Sequence, residues 1–355
     1  MLIYLGRRAV AAAIVFLAVT ISTFIVFFVI PSSSGTDAFR RRQSESNIQV
    51  GPAQLTGPVY HQYSQFLSRI VTHGYLGTST YTRRDVREMI AQGAPITASL
   101  VFGGVIVWLL IAIPVGILSA LRPRSLLDRV GMLFVLVGVS AHPLWLGLVF
   151  SYVFGFRLGI APIGGYCDFF SPQPGATCGG PVQWAYHLIL PWITFALLFA
   201  ALYTRMIRAK VAETLNDDYV RTARAKGASE WRVMRLHVLR NALLPVVTMV
   251  GMDMGLAVGS VLFVEKAYGL PGLGGMAYDA LLRHDLAVVI GIVVVVTMAI
   301  IVLNFLVDVL YGWIDPRVRV IHSAGTAGGT GPRLPGKGRH DRRPVPESVP
   351  QSASL

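Results

Sequence analysis

Charge is scarce in this chain. Of its 355 residues only 14% are Asp, Glu, Lys or Arg, against roughly 25% in ordinary soluble domains. Acidic residues are the scarcer sign, 18 against 31 basic ones. The excess positive charge flanks apolar runs and gathers in no single patch, which argues against nucleic-acid binding. Cysteine is rarer still, with Cys167 and Cys178 the only two. No His or third Cys sits beside them in the sequence, so no zinc site is expected. The carboxylates are scattered over separate connections, and no Ser/His/Asp or Cys/His arrangement can be traced. Catalysis by this chain alone is not expected. A working phosphate-binding loop is missing too. Gly331, Gly336 and Lys337 have its spacing, but Gly338 stands where Ser or Thr should bind magnesium, and no strand leads in. Nucleotide energy, if used, must enter through another chain.

What the chain has instead is hydrophobicity, 54% of its residues, gathered into long runs. Residues 9–30 hold no charge and, at about 1.5 Å per residue, can cross a hydrocarbon core of ~30 Å. A signal peptide would have a shorter apolar core and a small-residue cleavage site, and no clean one follows Ile30, so an uncleaved first span is expected. Further runs lie at 96–120, 130–154, 186–206, 244–264 and 286–310. Six spans follow, all helical, because lipid offers no partner to open backbone groups. The fold class is therefore an all-α integral membrane protein.

Orientation follows from Lys and Arg. They crowd the connections at 122–129 and 205–240 and the ending from 317, whereas the short loops on the opposite side hold only Arg157, Lys266 and Arg283. The loop at 31–95 is basic as well, but loops of that length cross largely regardless of charge. Both termini are expected in the cytoplasm, in a multi-pass protein of the cell membrane. Cys167 and Cys178 then share one external, Gly/Pro-rich loop. An oxidising compartment favours a disulfide between them; the alternative is two free thiols. The tail at 321–355 lacks apolar periodicity and reads as disordered, solvated or touching anionic headgroups through Arg339, Arg342 and Arg343.

The connection at 215–245 holds the densest information. Asp217 or Asp218 is placed to cap a short helix, and Gly227 supplies its stop. Ser229 can cap a second helix that runs towards Pro245. Thr222, Ala223 and Ala225 permit close approach by another surface, and Arg221, Arg224 and Lys226 offer it charge. A docking element and a plain solvated connector both fit these properties.

Asp218, Tyr219, Val220, Arg221, Thr222, Ala223, Arg224, Ala225, Lys226 and Gly227, followed by Arg240, Asn241, Ala242, Leu243, Leu244 and Pro245, resemble the coupling loop of ABC-importer membrane subunits in the dipeptide/oligopeptide/nickel branch. Other pieces agree in order and spacing. Leu158, Gly159, Pro162, Gly165 and Tyr166 resemble the family's turn after the third span. Glu265 with Pro271, Gly272, Leu273 and Gly274 resembles its hairpin after the fifth. Asn304, Asp308, Tyr311, Asp315, Pro316 and Arg317 resemble its ending, and the stretch from Gly77 to Leu100 its approach to the second span.

The resemblance implies a type I importer permease fold. In that reading 1–30 is the first span, 31–95 an extracytoplasmic loop region, 96–315 a five-helix core with its coupling loop at 209–243, and 321–355 the tail. It implies a second homologous permease, two ATP-binding cassette subunits that hold the ATP and magnesium, and an external binding protein. No cofactor is expected on this chain itself. Peptides are the expected cargo; nickel or another small solute is the alternative within the same machinery. An ion-driven transporter would call for paired repeats, which the sequence does not show, and a membrane-anchored sensor would leave the coupling segment without a purpose.

Three features within the spans remain. Gly251, Gly255 and Gly259 recur every four residues, a smooth face for helix packing within the chain or against a partner. Asp253, on roughly the opposite face, either lines a translocation path or is held in a structural hydrogen bond. His142 has the same two readings, a path ligand or a packing residue. The family's proline falls one place late here, at Pro143, and Pro114 predicts a kink in the second span.

Overall fold

In the computed structural model of the chain, residues 2–26, 59–74, 76–170 and 178–314 are described. The expected tail at 321–355 and the Asp315, Pro316 and Arg317 ending lie outside them. The chain divides into a helical unit, Met1–Tyr311, and a terminal unit, Gly312–Leu355, of which only 312–314 are described. The helices are α1 (Leu2–Phe24), α2 (Val59–His73), α3 (Val86–Leu121), α4 (Leu126–Ser140), α5 (Pro143–Phe150), α6 (Pro181–Leu215), α7 (Asp218–Ala225), α8 (Leu244–Tyr268), α9 (Leu273–Leu282) and α10 (Leu286–Ile314). Among the described residues extended structure is limited to two isolated bridges, Thr78 with Asp85 and Asp168 with Gly179.

Four helical stretches are long and apolar enough to cross a membrane: Val86–Leu121, Pro181–Leu215, Glu230–Tyr268 and Leu286–Val307. A bent pair, Asp128–Ser140 with Pro143–Arg157, makes a fifth. The expected first span is α1, whose apolar part within the described residues, Val10–Phe24, is shorter than a full crossing. Residues 27–30 of that run lie outside the description.

The expected third span at 130–154 is a broken helix, bent by 110° between its two halves. Pro143 offers no N–H to continue the ladder and pushes the residue before it out of the helical region. His142 accordingly sits at φ −73°, ψ 133°, and Ala141 at φ −89°, ψ 129°. Pro95 and Pro114 behave differently, since α3 runs unbroken through both.

The core is built on α3 against α6. Trp108 is fully buried, stacked on Phe199 at 4.6 Å and tilted against Tyr203 at 5.4 Å. The helices approach closely because α3 presents glycine where α6 presents bulk. A Cβ on Gly103 would collide with the Trp192 indole and one on Gly104 with the Phe195 ring, while one on Gly116 would stand 2.8 Å from Ile207. The indole of Trp192 donates to the Ser99 carbonyl at 3.0 Å, closing the same contact with a hydrogen bond.

Buried carboxylates tie the helix ends. At one end Asp128 takes a forked contact from Arg208 of α6, Nε at 2.7 Å and Nη2 at 2.9 Å, and accepts the Arg124 amide at 2.9 Å. At the opposite end Glu265 has no exposed surface. It accepts from the Thr97 hydroxyl at 2.6 Å and the Gly275 amide at 2.8 Å, while Thr97 accepts the Leu273 amide at 2.8 Å. The carboxylate thus sits at the positive end of α9, where amides and dipole both favour a negative group. Ser79 donates to Asp285, just before α10, at 2.5 Å.

Gly104→Val should lower stability by about 1–3 kcal/mol through overpacking, read as a fall in the thermal unfolding midpoint in detergent. An unchanged midpoint would mean that α3 and α6 do not depend on this contact.

Candidate functional site

The segment that resembles a coupling loop folds as a short helix clamped onto a long one. Asp217 occupies the N-cap of α7 with φ −67° and ψ 146°, without a side-chain capping bond. Its contribution is negative charge at the helix start. At the other end the Gly227 amide bonds the Arg224 carbonyl at 2.9 Å and the Ala228 amide bonds the Ala223 carbonyl at 3.2 Å. This paired pattern, with Gly227 at φ +80°, is the left-handed stop that glycine adopts without strain. A Cβ on Gly227 would meet no atom within 4 Å, so backbone conformation alone demands glycine there.

Three contacts hold α7 in place. Val220 is fully buried and shares the main core with Val233 and Val238. Arg224 forks onto Glu230, Nε to Oε1 at 2.9 Å and Nη2 to Oε2 at 3.2 Å, bridging the Gly227 turn. The amide of Asn241 donates to the Tyr219 hydroxyl at 2.9 Å. Arg221, Thr222, Ala225 and Lys226 are exposed, as is Trp231 just beyond the turn. From Glu230 the chain continues as α-turn, π-helix (Val233–Leu239) and α-helix into α8, a continuous stretch of 39 residues to Tyr268. α7 is therefore attached directly to a helix long and apolar enough to cross a membrane.

Asp253 lies on that helix, and the Tyr203 hydroxyl of α6 donates to its Oδ2 at 2.7 Å. Sequence reasoning named the aspartate and missed this partner. His142 is exposed at the break between α4 and α5. Its Nδ1 accepts the Leu144 amide at 3.3 Å, which caps α5, and its ring meets Phe263 of α8 edge-on at 4.7 Å. The structure does not join these two residues in one site, because Phe263 lies about 15 Å along α8 from Asp253 at ~1.5 Å per residue. The small-residue face is graded. A Cβ on Gly251 would collide with Val307 of α10, one on Gly255 would stand 3.5 Å from Ile300, and one on Gly259 would meet nothing within 4 Å.

Cys167 and Cys178 are joined as a disulfide. Beside them the Gly180 amide bonds the Asp168 carbonyl at 2.9 Å. The expectation that no histidine neighbours this pair is corrected: His187, nearly two turns into α6, places Nδ1 3.2 Å from Cys167 Sγ. Helix geometry, invisible to sequence spacing, brings it there. These three side chains are close enough to hold a metal ion, but the sulfur atoms are bonded to each other and offer no thiolate.

Comparison with known proteins places the chain. Residues 112–320 match the family described as binding-protein-dependent transport system inner membrane component, and residues 1–101 match that family's N-terminal region. The probable D,D-dipeptide transport system permease protein DdpB of Escherichia coli (strain K12) is 34% identical over 88% of this chain and 96% of its own. The dipeptide transport system permease protein DppB of the same strain is 32% identical over 90% and 99%. The oligopeptide transport system permease protein AppB of Bacillus subtilis (strain 168) is 34% identical over 89% and 98%.

Gly251→Ala should destabilise the chain by about 1–3 kcal/mol, and adding Val307→Ala should restore much of the loss. Gly259→Ala should stay within about 0.5 kcal/mol of wild type. Thermal unfolding of the three variants in detergent checks the gradient; equal effects at both glycines would overturn it.

Proposed function

Because the chain belongs to the inner membrane components of binding-protein-dependent transport systems, we propose that it forms one half of the membrane path of an ATP-driven peptide importer. It is a multi-pass inner-membrane protein, and its relatives are permease proteins of dipeptide and oligopeptide systems. The second half would be a homologous permease. Two ATP-binding cassette subunits would hold the ATP and magnesium on the cytoplasmic side, where we place both termini of this chain, and an external binding protein would deliver the peptide.

The observation that carries the coupling role is the clamp on α7. ATP binding does work only if it favours one conformation of the spans over another. A docked helix that slid freely would transmit nothing. The buried Val220, the Arg224–Glu230 fork and the Asn241–Tyr219 bond make α7 one body with the start of the 39-residue helix. Arg221, Lys226 and the exposed residues around them are left to face the ATPase. Asp253, bonded to Tyr203, serves in this reading to join α6 and α8 rather than to bind cargo, and His142 shapes the bend of the third span.

The test is co-purification of the tagged chain in mild detergent. Wild type should bring an ATPase pair and a second permease. Gly227→Asp should lose the ATPase several-fold while keeping the permease, since the new anion opposes the negative end of the helix. Gly227→Asn, which tolerates that backbone, should keep most of it. ATPase retained by Gly227→Asp would dissociate α7 from coupling, and no ATPase with wild type would overturn the importer reading.

A further inference from the structure

Between α1, α2, α3 and α10 lies a cleft of about 820 Å³ that none of the transport roles uses. Its wall is aliphatic: Val101 of α3, Val258 of α8, and Val295, Ala299 and Leu303 of α10 are representative. Arg87 is the one charged residue in the lining, and it is exposed at the start of α3. No carboxylate among the described residues pairs with its guanidinium. Thr97 also lines the cleft, but its hydroxyl is committed to Glu265 and to the Leu273 amide.

Position selects the occupant. Two of the cleft's walls, α3 and α10, are long and apolar enough to cross a membrane, and its lining includes Phe102, 53% exposed, and Val302, 49% exposed. It is therefore continuous with apolar surface facing outwards. Along α10 it extends over 294–303, about 13 Å at ~1.5 Å per residue, close to the hydrocarbon depth of one leaflet, about 15 Å. Arg87 belongs to the end of the spans that also carries the disulfide, where α3 begins, so its charge sits where a headgroup would lie. In sequence, residues 31–58 are mostly polar and carry Arg40, Arg41 and Arg42, like in charge to Arg87.

We propose that the cleft holds an acyl chain of a membrane phospholipid whose phosphate lies against Arg87. The acyl chain fills aliphatic space that would otherwise forfeit its dispersion contacts, and guanidinium and phosphate form a charge-assisted pair. This site is independent of cargo and of coupling.

The full-length chain with its co-purifying subunits is placed in nanodiscs containing phosphatidylglycerol with a photoactivatable acyl chain. Labelling should concentrate on Ala98, Val295 and Ala299, above the outward-facing Leu110. Arg87→Gln should cut it about three-fold by removing the charge-assisted pair. Val295→Trp, which fills the cleft, should abolish it while the variant keeps its unfolding midpoint. Labelling spread evenly over all outward-facing apolar residues overturns the proposal, as does labelling that Arg87→Gln leaves unchanged. A cysteine placed at Ala98 that cross-links to 27–58 or to the second permease also overturns it, by naming a different occupant.

Discussion

The close approach of α3 to α6 is the contact on which the remaining helices depend. Lipid is as apolar as the side chains, so helices in a membrane gain little from hiding hydrophobic surface and must associate through fit. Here the fit is glycine against ring: Gly103 beneath Trp192, Gly104 beneath Phe195, with Trp108 stacked on Phe199 beside them. Among the described helices α4, α5, α8 and α9 each pack on at least one member of this pair. The bent third span packs on α6, and α8 reaches α6 through Tyr203 and α3 through Glu265 and Thr97.

Among the described residues, carboxylates that hold helices together lie at the ends of the spans and, with Asp253, at one point within them. Asp128, Glu265 and Asp285 are each buried and each joined to a distant part of the chain. They act as directional fasteners where hydrophobic contact has no direction of its own. Asp253 is the exception inside the span, and its tyrosine partner spares it the cost of an unpaired carboxylate in an apolar setting. The clamp on α7 uses the same device at the surface, with a guanidinium fork across a glycine turn.

Much of this was legible from residue order. Apolar runs located the membrane-crossing helices, because a bilayer demands length and tolerates few charges. Asp217, Gly227 and Ser229 marked the ends of the short helices, because capping is local chemistry. The bend at His142 was half legible: Pro143 signalled irregular geometry, but nothing in the apolar run on either side gave the angle. What sequence could not reveal was pairing across distance. Tyr203 with Asp253, Arg208 with Asp128 and His187 with Cys167 are brought together only by helix packing. Nor does an apolar residue announce whether it faces lipid or protein. Leu110 and Trp108 lie two positions apart on α3, one 67% exposed and the other fully buried.

The bond between Cys167 and Cys178 has a consequence for biogenesis. Disulfides persist in oxidising compartments and are rare where cellular thiols are kept reduced. The pair sits at the end of the spans opposite α7, so in the orientation proposed above, with both termini in the cytoplasm, the sulfur atoms would face oxidant and α7 the cell interior. A chain threaded backwards would reverse both. In that reading the orientation would be recorded twice: in the arginines that bias insertion, and in a covalent bond that only the oxidising side favours.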